Sequence, residues 1–161
     1  MTKSNRSIVS GLALCVLLGS AHAQQDKIVS KDGKERTAKI SSEDYDGLKL
    51  PVEGGSTTVP WKDVDSIRYG NAGKYQEALD SFTSESPSQT LPKLEELAAD
   101  DKLRPVLRHG VLYHLGLTYR RVGNDDKAIA TLEQVLKDFP KTRYLLPIGA
   151  NLLSLYATKG D

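Results

Sequence analysis

HLGLTYRRVGNDDKAIATLEQVLKDFP (114–140) places small residues and helix breakers at intervals that define two helices and one crossing. Gly116 lies on the first helical run and Ala128 on the second, so the two backbones can approach closely there. Leu115, Tyr119 and Leu132 supply the bulk around that approach. Gly123 tolerates the left-handed backbone that ends a helix. Asn124-Asp125 is a good N-cap pair for the next, and Pro140 blocks its continuation. Extending outward, Pro105 fits a first helical turn, so the first helix is expected from about 103 to 123 and the second from there to just before Pro140.

The spacing also matches a repeat signature. The pattern Trp-x2-Leu-Gly-x2-Tyr, then Ala-x3-Phe, then Pro is met by Leu112, Leu115, Gly116 and Tyr119, then Ala128 and Leu132, then Pro140. The stretch resembles a tetratricopeptide repeat, with Leu112 replacing the aromatic residue and Leu132 the phenylalanine, both volume-tolerant exchanges. Upstream, Gly73, Ala78 and Phe82 reproduce the spacing of Gly123, Ala128 and Leu132, which reads as the second helix of a preceding repeat whose first helix is absent or replaced. Downstream, Tyr156 and Gly160 stand as far beyond Tyr119 and Gly123 as a repeat requires, after a longer joint at KTRYLLP. Residues 71–161 are therefore expected to form a helical solenoid. SESPSQTLP (84–92) reads as an interruption, with a helix restarting near Leu91 or Pro92 and running to about Ala99, and a last helix from roughly Arg143 to Thr158.

Residues 24–70 have a different period. Asp32-Gly33, Asp46-Gly47 and Gly54-Gly55 mark tight reversals. Between them, Ala38 and Ile40, then Leu48, Leu50 and Val52, then Val59, Val64 and Ile67 alternate as strand residues do. Five short strands closing on themselves are expected, since closure hides unpaired edges. The phrases KDGKERTAKI, DYDGLKL and VPWKDVDSIRY are similar to small Sm- or SH3-like β-barrels that precede tetratricopeptide repeats in exported bacterial proteins. The Sm loop motifs that hold a base are missing. The fold class expected is α+β, a small barrel followed by a solenoid.

Residues 1–23 form a third segment. Lys3 and Arg6 precede an apolar run from Ile8 to Leu18, and Ala21-His22-Ala23 gives a small-x-small cleavage pattern. These are the zones of a secretory signal peptide, with a run too short to span a bilayer, so the chain is expected to be exported, periplasmic or extracellular, without membrane insertion after cleavage. The residue before Cys15 is Leu14, which argues against lipidation there. Cleavage removes that single cysteine and with it disulfide, thiolate and Cys-metal chemistry. The whole chain has 22 basic and 21 acidic residues, and no basic patch of the kind nucleic-acid binding needs.

No constellation of reactive groups stands out. His109 and His114 are five apart, off the i, i+4 spacing of a zinc helix. Gly54-Gly55-Ser56 and Gly70-Asn71-Ala72-Gly73 lack a P-loop lysine. Asp44, Asp46, Asp63 and Asp65 read as solvated loop charges. No enzyme activity, cofactor or metal is expected. The resemblance to tetratricopeptide repeats implies a scaffold that binds a protein or peptide on the inner face of the first helices, where Tyr113, Leu117 and Arg120 fall on one side, with Ala150, Ser154 and Ala157 at the equivalent positions of the last helix. The alternative is an envelope assembly or oligomerisation factor. The last helix carries leucines over about half its circumference, wider than the ~100° stripe a single neighbour requires, so either the sequence stops short of the natural chain or a second chain, a homo-oligomer included, covers that side.

Overall fold

The computed structural model describes residues 25–160; the signal-like segment, with Cys15 and His22, lies outside them. Six short strands come first: β1 Asp26–Ser30, β2 Glu35–Ala38, β3 Ser42–Asp44, β4 Gly47–Val52, β5 Gly55–Pro60 and β6 Val64–Arg68. Five helices follow: α1 Gly73–Ser84, α2 Pro87–Ala99, α3 Pro105–Arg121, α4 Asp125–Asp138 and α5 Leu145–Lys159.

The strands form two antiparallel three-stranded sheets, ordered β2-β1-β6 and β3-β4-β5, and not the single closed five-stranded barrel expected. Two breaks account for the difference. Between β2 and β3 the Ile40 N–H turns away from any strand to donate to the Asp26 carboxylate at 2.8 Å. Between β5 and β6, Trp61–Asp63 coils into one 3₁₀ turn. The reversals fall where the sequence placed them: Gly33 has φ 79°, and at Gly47 a side chain would stand 2.2 Å from the Val59 carbonyl oxygen. Ile28, Ile40, Leu48 and Leu50 are buried in the hydrophobic core, whereas Val52 is 52% exposed and ends the alternation.

The helices make two layers. α1, α3 and α5 run parallel: Tyr75 and Tyr144 reach Gly110, Phe82 packs edge-on against His114, and Arg120 bonds to Asn151 and Ser154. α2 and α4 return antiparallel. Lys74 at the start of α1 bonds Glu96 near the end of α2 while Ser81 meets Thr90, and Gly116 faces Leu132 while Tyr119 lies under Lys127. Tyr119 also donates to Glu95 at 2.7 Å and Tyr156 to Glu133 at 2.6 Å. α1 is thus a first helix with α2 as its partner, which corrects its reading as a second helix. The cause lies in SESPSQTLP. Ser86 and Gln89 form a capping box, which starts α2 at Pro87 and leaves Pro92 inside it, so the stretch is a helix start and not an interruption.

At the expected crossing, a Cβ on Gly116 would lie 2.7 Å from Leu132 Cδ2 and 3.6 Å from the Ala128 carbonyl oxygen. Ala128 and Leu132 are both fully buried. The α3–α4 pair therefore meets through the residues whose spacing announced it. α3 ends in the left-handed Gly123, and the Asn124 side chain accepts from the Lys127 N–H.

Candidate functional site: a groove between the strands and the inner helices

Two arginine–carboxylate clamps hold the strands against the helices. Asp26 opens β1 and is fully buried. Arg104, just before α3, grips it with both terminal nitrogens at 2.7 Å, and the backbone N–H groups of Ile40 and Gly70 donate at 2.8 and 2.9 Å. Burial pushes the Asp26 pKa up, but the guanidinium and the two backbone donors outweigh it and hold the carboxyl below the usual range. Charge-assisted, bidentate bonds of this kind are both strong and directional.

The second clamp centres on Glu43 of β3. Its carboxylate accepts from the Tyr69 hydroxyl and from Arg143 at 3.2 Å. Arg143 belongs to the α4–α5 joint, which lies along the free edge of β3. Tyr45 N–H donates to Lys141 O at 2.8 Å and Arg143 N–H to Glu43 O at 3.2 Å, with Thr142 bridging Asp44. His109 of α3 is buried behind the joint, its Nδ1 2.9 Å from the Thr142 hydroxyl and its Nε2 3.4 Å from Glu43. A 250 Å³ pocket opens there between β3, α3 and the joint.

On the other side of Glu43 a groove of 710 Å³ runs between β6 and the inner helices. Trp61, Tyr69, Tyr75, Tyr144, His114 and Arg143 line it, together with Leu79. The Arg143 guanidinium lies 4.2 Å from the Trp61 ring and 5.3 Å from that of Tyr144, within cation–π range. Tyr69 and Tyr75 meet edge to face at 5.6 Å. Burial raises the Tyr75 pKa and pushes Tyr144 up to about 12, so both hydroxyls stay protonated at neutral pH. His114 is driven below its ordinary value by burial, which keeps its ring neutral there. The groove is an aromatic channel that also carries the charged groups of Arg143 and Asp65 and the polar side chains of Ser66 and Gln76.

The inner-face residues expected from sequence divide in their surroundings. Tyr113 is half-buried and stacks on Tyr144 at 4.2 Å. Arg120 reaches across to α5, to Asn151 at 2.5 Å and Ser154 at 2.8 Å, so two of the six come together, bonded to each other. Leu117 is half-buried, and Ala150 and Ala157 are exposed. Among the expected loop charges, Asp46 is paired with Lys49 at 2.8 Å, which also stands 4.0 Å from Asp44. Asp65 lines the groove. The groove's own residues were missed by sequence reasoning, because they come from six separate segments: the Trp61–Asp63 turn, β6, the link after it, α1, α3 and the α4–α5 joint. One signal was present: KTRYLLP lengthens the repeat joint and carries both Arg143 and Tyr144.

Comparison with known proteins gives one family. Residues 111–142 match the family model described as a tetratricopeptide repeat, the span covering α3 from Val111 onward, α4 and the start of the joint. No curated protein and no solved structure matches the chain. Repeats of this family are interaction modules, typically non-catalytic, that bind protein partners. The helix crossing at Gly116 and the matched span agree, and the chain contains a tetratricopeptide repeat.

Proposed function

We propose that this protein is an exported, non-catalytic scaffold of the cell envelope that binds a protein or peptide partner. The signal-like residues 1–23 motivate export, and the tetratricopeptide match motivates partner binding. The observation that carries the reading is the aromatic groove, whose two walls are the strand unit of 24–70 and, from 71–161, α1, α3 and the α4–α5 joint. Tyr113 and Arg120 serve it indirectly, by fixing Tyr144 and α5; Ala150, Ser154 and Ala157 extend the inner face beyond it.

A second reading, an assembly factor, has its own observation. Leu146 and Leu153 are 84% and 73% exposed along one side of α5. Two variants separate the readings. Gln76 is exposed at the groove, and Gln76→Arg should block it without disturbing the core, whereas Leu153→Arg alters only the α5 face. Affinity purification from the native envelope should lose its partner with Gln76→Arg and keep it with Leu153→Arg. The reverse pattern, with a changed size by light scattering for Leu153→Arg, would favour assembly.

A further inference from the structure

We propose that the groove's occupant is an extended peptide segment that adds itself as a strand to the free edge of β6. The proposal rests on the groove as the binding surface and goes further by fixing how the partner is held. β6 is the outermost strand of its sheet, paired on one side only, with β1. An edge strand leaves half of its backbone N–H and C=O groups without a ladder partner, a template for another chain.

The lining of the groove shows that this edge, and not a face of the sheet, borders it. Side chains of a strand alternate between faces, so a cavity lying on one face meets every second residue. The groove is lined by four successive residues, Val64, Asp65, Ser66 and Ile67, as a channel alongside the backbone must be. Ser66 and Ile67 also border a second cavity of 630 Å³, which reaches Arg68 but takes in Lys27 and Val29 of β1 and Glu35 of β2 and so lies over the face of the sheet; the space alongside the β6 edge runs from Val64 to Ile67. Four residues of strand span about 13 Å at ~3.3 Å per residue.

The molecule already uses this mode once. The α4–α5 joint lies on the free edge of β3 through two backbone hydrogen bonds and the Asp44–Thr142 bridge. β6 is one of the two edges of the other sheet, and the one that borders the groove. The helical side of the channel holds Tyr75, Leu79 and Tyr144 together with Gln76, His114 and Arg143, so a segment seated on β6 would turn alternate side chains onto a largely aromatic wall. Strand addition of this kind draws affinity from main-chain bonds and selectivity from pockets for every second side chain. Charge adds a direction. Among the described residues Arg68 has no carboxylate partner, so the segment that fits carries apolar or aromatic residues at alternate positions and an acidic residue at the Arg68 end.

The test is selection of binders from a random peptide library on the full chain, followed by N-methylation of a selected peptide one residue at a time. N-methylation removes one backbone donor and leaves the side chain. Strand addition predicts that affinity falls about tenfold or more at every second position and little at those between, and that Arg68→Glu weakens peptides carrying the acidic residue. Uniform tolerance of N-methylation, or losses without alternation, overturns strand addition; if Gln76→Arg still abolishes binding in that case, the groove reading survives alone. Peptides indifferent to Gln76→Arg, or a library that yields no binder, overturn both.

Discussion

Gly116 is the residue on which the helical half turns. A methyl group there would stand 2.7 and 2.8 Å from two carbons of the fully buried Leu132, so Gly116→Ala forces either side chain or helix to move. Overpacking of this kind costs about 1–3 kcal/mol, against which the better helix propensity of alanine returns only ~1 kcal/mol. Leu132→Ala alone should lose about 2–5 kcal/mol through its cavity. Urea unfolding of both single variants and the double variant should give a double loss smaller than the sum, since the second change makes room for the first. Additive losses would mean that the two residues do not meet. Asp26 gives a second test at this scale. Because its carboxyl is held below the ordinary value of 3.8, its contribution is complete above that value and is lost as pH falls through the lower folded one. Denaturant midpoints taken from about pH 5 to about pH 2 should therefore fall less steeply in Asp26→Asn than in the parent chain. Equal slopes would contradict the clamp.

Among the elements, α3 and α4 were legible because each boundary has a local chemical cause: Pro105 in the first turn, Gly123 with positive φ, the Asn124 cap and Pro140 after the end. α2 was not, because Ser84, Ser86 and Ser88 look like linker until Ser86 and Gln89 are seen to bond to each other. If that box starts the helix, Ser86→Ala should lower stability by about 1 kcal/mol, measurable as a shift in the thermal midpoint; no shift would return the stretch to a linker. Strand positions were legible from alternation and turns, whereas sheet closure was not. Pairing joins residues far apart in sequence, and the two interruptions, at Ile40 and at Trp61–Asp63, depend on a carboxylate and a turn that no local pattern announces. The site was the least legible part for the same reason. Tyr113 and Arg120 lie on α3, and their partners come from a later part of the chain, Tyr144 from the α4–α5 joint and Asn151 and Ser154 from α5.

At the scale of the whole molecule, the groove has two walls from different parts of the chain, and it is a fixed surface only if they move together. The clamps link them at separate points: Arg104 to Asp26 from the α2–α3 connection, and Arg143 to Glu43 from the α4–α5 joint. The joint also continues β3 through backbone bonds, and the buried cores of strands and helices are contiguous. The sequence provides a direct reporter, for Trp61 is the single tryptophan. It sits on the strand side, donating to the Asp44 carbonyl at 2.8 Å and lying against Arg143, while the far-ultraviolet circular dichroism is dominated by the helices. Urea unfolding followed by both signals should give one transition with the same midpoint and slope, because the strand and helix units unfold as one cooperative body. Tryptophan fluorescence changing at a clearly lower urea concentration than the helical signal would show that the strands come away alone, and would contradict a preformed groove between them.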